Sequence, residues 1–70
     1  MDEMKQIVAR NLRRLRNERK LSQEELAFRA KVDRSYISQL ETGVYSPSVT
    51  MLGKLAKALG VEVGELLKPK

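Results

Sequence analysis

Apolar residues recur along this chain at three- and four-residue steps, and no stretch keeps the two-residue alternation of a half-buried strand. Met4, Ile7, Val8, Leu12 and Leu15 form one stripe and predict a helix over residues 3–19, with Lys5, Arg10, Arg13, Arg14 and Arg16 on the opposite face. The pattern breaks at Leu21 and Ser22. Ser22-Gln23-Glu24-Glu25 then has the spacing of a capping box, in which Ser22 and Glu25 satisfy each other's backbone N–H groups, and it predicts a second helix running to Ala30. Lys31-Val32-Asp33 is expected to form a tight turn, with Asp33 as N-cap of a third helix over residues 34–42. Gly43 ends that helix, because glycine tolerates the left-handed conformation of a C-terminal cap. Residues 44–47 read as a loop. Ser48 caps a fourth helix over residues 49–59, closed by Gly60, and a short fifth helix over residues 63–67 starts from the weak cap Glu62 and carries Gly64 inside it. The expectation is an all-α fold, five helices in a single domain over residues 1–70.

The second and third helices are short and only three residues apart, so they must cross steeply, as in a helix-turn-helix over residues 23–43. Leu26, Ala30, Val32, Ile37 and Leu40 supply the apolar positions between them. Ala27 falls where the two approach most closely, and a larger side chain there would push them apart.

Composition narrows the chemistry. The 70 residues contain no cysteine and no histidine, which removes disulfides, thiolate metal sites, the commonest zinc ligand and the commonest general base. No enzymatic activity, metal or other cofactor, or small-molecule ligand is expected, and the acidic residues Glu24, Glu25, Glu62 and Glu65 read as helix-start and surface charges. The formal net charge of +5 points to an anionic partner, nucleic acid first. No apolar run approaches the ~20 residues of a membrane span, and the polar start of the chain has no signal-peptide pattern. A cytoplasmic protein is expected.

Several segments resemble the lambda-repressor and Cro-like helix-turn-helix family, also called the XRE family. Leu21-Ser22-Gln23-Glu24-Glu25-Leu26-Ala27 is similar to its second helix, and Tyr36-Ile37-Ser38-Gln39-Leu40-Glu41-Thr42-Gly43 to the end of its recognition helix. Pro47-Ser48 and Leu55-Ala56-Lys57-Ala58-Leu59-Gly60-Val61 resemble its fourth helix and the turn after it. One departure is Lys31, where the family usually has glycine; a side chain in left-handed backbone costs about 1 kcal/mol. The order Asp33-Arg34-Ser35-Tyr36-Ile37-Ser38 also resembles controller proteins of restriction–modification systems.

The resemblance implies sequence-specific binding of double-stranded DNA by a homodimer that regulates transcription. It implies base contacts from Arg34, Ser35 and Gln39, and the chemistry agrees: arginine pairs bidentately with guanine and glutamine with adenine. Tyr36 and Ser38 flank that set as further DNA contacts. Gln23 is implied to touch phosphate from the start of the second helix, and Thr42, Tyr45 and Ser46 are phosphate neighbours after the third. Arg13 and Arg14 are read as contributing only long-range field. Glu41 lies where the helix dipole disfavours a negative charge and needs compensation; the family implies a salt bridge to Arg16. Leu59, Val61, Leu66 and Leu67 are expected to close the core, which leaves Val63 exposed for a dimer interface near the C-terminus. An antitoxin-type module that neutralises a partner protein is the alternative reading.

Overall fold

The computed structural model describes residues 3–69. It contains five α-helices: α1 (Glu3–Glu18), α2 (Gln23–Ala30), α3 (Arg34–Glu41), α4 (Val49–Leu59) and α5 (Val63–Leu67). The expected boundaries stand to within a residue: α1 stops at Glu18, and Thr42 is the C-cap of α3 rather than its last turn. No helix among the described residues is long and apolar enough to cross a membrane.

The first four helices stop in the same way. After each, the amide of an αL residue bonds back to one carbonyl, and the next amide reaches a carbonyl one residue further back. Lys20 N–H donates to Asn17 and Leu21 N–H to Arg16; Lys31 to Phe28 and Val32 to Ala27; Gly43 to Leu40 and Val44 to Gln39; Gly60 to Lys57 and Val61 to Ala56. These are Schellman motifs, and each places an apolar residue (Leu21, Val32, Val44, Val61) just past the turn, where such a motif seeks a hydrophobic contact. Two of the αL positions are glycine, as the geometry favours. The other two are Lys20 and Lys31, at φ 57° and 60°, so Lys31 keeps the turn that glycine makes elsewhere and bears the strain.

Helix starts divide differently. Ser22 and Glu25 form the expected capping box, and the Ser48 hydroxyl accepts from the Met51 N–H. Asp33 occupies the N-cap position of α3 with extended backbone, but its side chain makes no capping hydrogen bond, contrary to expectation; its carbonyl alone accepts, from Tyr36 and Ile37.

α3 packs on both α2 and α1, α4 packs on α2, and α5 bridges α1 and α4. Val8, Leu12, Leu15, Leu26, Ile37, Leu40, Leu55, Leu59 and Leu66 fill the space between, and Ala27 and Ala30 are buried at the α2–α3 crossing. At ~1.5–3 kcal/mol for each fully buried large aliphatic side chain, this cluster is the main stabilising term. The α1 stripe is displaced from the expected one. Met4 is 44% exposed and Ile7 only half-buried, whereas Ala9 and Asn11 are buried. Arg16 leaves the solvent face and turns inward. Val32, Val61 and Leu67 are half-buried lids on the core rather than members of it.

Candidate nucleic-acid interface

α3 has two faces. Ile37, Leu40 and Glu41 are buried, while Arg34, Ser35 and Gln39 lie on the other side and their side chains have no hydrogen-bond or ion-pair partner among the described residues. The three expected base-reading residues are therefore brought together on one free face. Arg34 is the first helical residue, at the tip of α3.

Tyr36 and Ser38 stand at the margin of this face. Tyr36 packs against the core and also meets Tyr45 of the following loop, ring centroids 6.3 Å apart with the planes tilted by 31°. Burial, then the nearby Tyr45, raises the Tyr36 hydroxyl above its ordinary pKa. Thr42 bonds its hydroxyl to the Gln39 carbonyl at 2.9 Å, and Tyr45 and Ser46 are exposed beside it. Gly43, at φ +80°, lies so close to α1 that a Cβ there would stand 3.3 Å from the Gln6 side-chain nitrogen.

The far end of α3 is held by charge. The Arg16 Nε and Nη2 groups donate to the two Glu41 carboxylate oxygens at 2.6 and 3.1 Å, and the two side chains are 14% and 3% exposed. The expected salt bridge is present, and it raises the Arg16 pKa further, chiefly through the hydrogen bond. Arg16 also donates to the Leu21 carbonyl at 2.7 Å, which ties the end of α1 into the same knot.

Two further residues join it that the sequence pattern did not place there. Arg13 donates to the Glu41 main-chain oxygen at 3.0 Å, capping the negative end of α3, so it does more than add long-range field. Gln23 turns its side-chain nitrogen onto Glu41 Oε1 at 3.1 Å instead of leaving it free at the start of α2. The Gln23 main-chain N–H lies in the first turn of α2, where backbone N–H groups have no partner within the helix. Asn11 is a third unforeseen residue: it is buried on α1 and donates to the carbonyls of Leu66 and Lys68 at 2.9 and 2.8 Å, so it secures the end of α5. Its signal was in the sequence, as an amide set among the apolar positions Val8, Leu12 and Leu15. Val63 is 36% exposed, the least of the large exposed apolar residues.

Two short helices joined by three residues, the second with a buried face, an anchored end and a free polar face, define a helix-turn-helix protein. The chain belongs to the helix-turn-helix family HTH_3, whose model matches residues 12–66. It is 43% identical over 67 residues to an uncharacterized HTH-type transcriptional regulator, y4dJ, of Sinorhizobium fredii, covering 96% of this chain and 87% of that one. Its structure is similar to that of the restriction–modification controller protein C.AhdI from Aeromonas hydrophila, with TM-score 0.83 and 43% identity over 86% of this chain and 91% of that one. It is also similar to the controller protein C.Esp1396I, solved as a tetramer in complex with its natural 35 base-pair operator, with TM-score 0.84 and 26% identity over 97% and 100% of the two chains.

Proposed function

We propose that this protein is a sequence-specific double-stranded DNA-binding transcriptional regulator that acts as a homodimer. The observation that carries the reading is the free face of α3, where Arg34, Ser35 and Gln39 have no internal partner among the described residues while the other end of the helix is fixed to α1 through Arg16 and Glu41. A rigid helix with unpaired donors at its tip suits the major groove, where the N-terminal residues of a recognition helix meet base edges. Tyr36 and Ser38 border the contacted bases, and the phosphates lie against Gln23 on one side and Thr42, Tyr45 and Ser46 on the other. Base contacts choose the sequence and phosphate contacts set the register.

The operator-bound controller protein supports this reading and its oligomeric form, and the likeness to C.AhdI favours the controller subclass. These relatives give no support to the antitoxin alternative. A regulator that acts on DNA in this way works in the cytoplasm and asks for no cofactor.

The test begins by selecting bound sequences from a random duplex pool. Arg34→Ala is then compared with the wild type on the selected site and its single-base variants. A bidentate arginine–guanine contact is worth about 1–3 kcal/mol of discrimination, roughly ten- to a hundredfold, so the homodimeric variant should lose about that factor at each of its two half-sites and relax its preference at one base pair in each. Arg34 lies outside the core, so folding should not change. A uniform loss on all sequences, with base preference intact, would make Arg34 a backbone clamp.

A further inference from the structure

α1 carries four arginines, and they are not equally engaged. Arg16 holds Glu41, and Arg14 pairs with Glu18 at 3.3 Å and donates to Asn11. Arg13 caps α3 through the Glu41 main-chain oxygen, but its own approach to the carboxylate, 3.9 Å, is to an oxygen that Arg16 and Gln23 already occupy. Arg10 has no ion pair or hydrogen bond from its side chain among the described residues. Arg10, Arg13 and Arg14 line one open groove with Gln6, Asn17 and Thr42. The carboxylate on its wall, Glu41, is already held by Arg16, so the groove is left with a positive excess.

Its position gives that excess a use. Thr42 belongs both to the groove and to the end of α3, and Gln6 lies against Gly43 at the start of the loop that carries Tyr45 and Ser46. The groove therefore continues the segment that faces phosphate in the proposed mode of binding. A recognition helix that enters the major groove tip first brings its C-terminal end back out across the sugar–phosphate strand. A backbone strand that continued past Thr42 on that path would run beside this groove of α1.

We propose that Arg10, with Arg13 beside it, binds the DNA backbone flanking the half-site, extending the contacted duplex past the bases that α3 reads. This rests on the DNA-binding reading above and adds a surface outside the helix-turn-helix. The arginines would carry no sequence information; they would lengthen the footprint and steepen the salt dependence.

Arg10→Gln tests it, because Arg10 is exposed, has no partner among the described residues, and is not used by the fold. Lys57→Gln, on α4 and away from this groove, removes the same charge as a control. Affinity is measured against salt on the selected duplex with long flanks and on one trimmed to the half-sites. Each lost phosphate contact should reduce the slope of log K against log[salt] by about one, and the homodimer loses one in each half-site, about two in all. The expected result is that Arg10→Gln lowers the slope on the long duplex by about that amount and weakens selected and scrambled sequences alike, while Lys57→Gln does not. Trimming the flanks should cost the wild type the same slope and leave Arg10→Gln unchanged. Equal effects of the two substitutions would reduce Arg10 to part of the general field, and an Arg10→Gln effect that persists on the trimmed duplex would place its phosphate elsewhere; either overturns the proposal. Failure of the wild type to bind any duplex at low salt would instead overturn the DNA-binding reading itself.

Discussion

Glu41 is buried at the end of a helix whose dipole repels it, and it is stable there because a guanidinium, an amide and a second arginine at its carbonyl surround it. Glu41→Gln and Arg16→Met should each cost about 3 kcal/mol, the low end for breaking a buried pair, since Arg16 keeps some contact with water. Denaturant melts of the double mutant should show a loss smaller than the sum of the two; strict additivity would mean that the residues act independently. Tyr36 gives a second prediction. Its folded pKa is raised by burial, so the unfolded chain releases this proton first as the pH climbs. Stability is therefore unaffected below the ordinary tyrosine value near 10 and is lost as the pH rises through the folded value. Tyr36→Phe should flatten that alkaline decline in thermal melts at increasing pH. The Arg16–Glu41 pair was legible because a glutamate at a helix C-terminus is a misfit that needs a cation, and the family resemblance supplied which one. The Gln23–Glu41 and Arg13–Glu41 contacts were not, because side-chain amides and arginines reach several neighbours and only the packed helices decide among them.

Among the elements, helix ends were more legible than the chemistry that makes them. Ser22 and Ser48 cap as their spacing implies, but Asp33, by identity an equally good cap, leaves its carboxylate unused. The comparison can be measured. Ser22→Ala and Ser48→Ala should each cost about 1 kcal/mol, and Asp33→Ala distinctly less; an equal loss at Asp33 would show that its side chain caps in solution. Lys31 is the converse case, a residue that looks unsuited to its turn and adopts it anyway. Lys31→Gly removes the left-handed strain but adds freedom to the unfolded chain, so a net gain below about 1 kcal/mol is expected in chemical denaturation. A loss would mean that the lysine stem makes up the strain by packing. The Schellman ends also show why two glycines and two lysines serve one purpose: what recurs is the apolar residue after the turn, and a search for glycine alone finds half of them.

At the scale of the whole molecule, five short helices and one shared core were legible from periodicity, because each stripe had to find another to cover it. The exact stripe on α1 was not, since Met4, Ile7, Ala9 and Asn11 sort themselves only once α3 and α5 are in place. The sequence leads one to expect Val63 at the homodimer interface, so Val63→Glu should shift sedimentation from dimer to monomer at micromolar concentration; an unchanged dimer would place the contact on another face. α5 has only five residues, includes Gly64, and starts without a side-chain cap. Such a segment has no helical stability of its own. It is held by Leu66 in the core and by the two bonds from Asn11. Local opening of the C-terminal segment and exposure of the dimer surface would then be one event, sensitive to a residue 55 positions away along the chain. In hydrogen exchange, the amides of α5 should be among the first to open in the monomer and should slow as the concentration drives assembly. Asn11→Leu should make the same amides exchange faster and weaken self-association without touching the interface, so that the first helix acts as a distant thermostat on pairing.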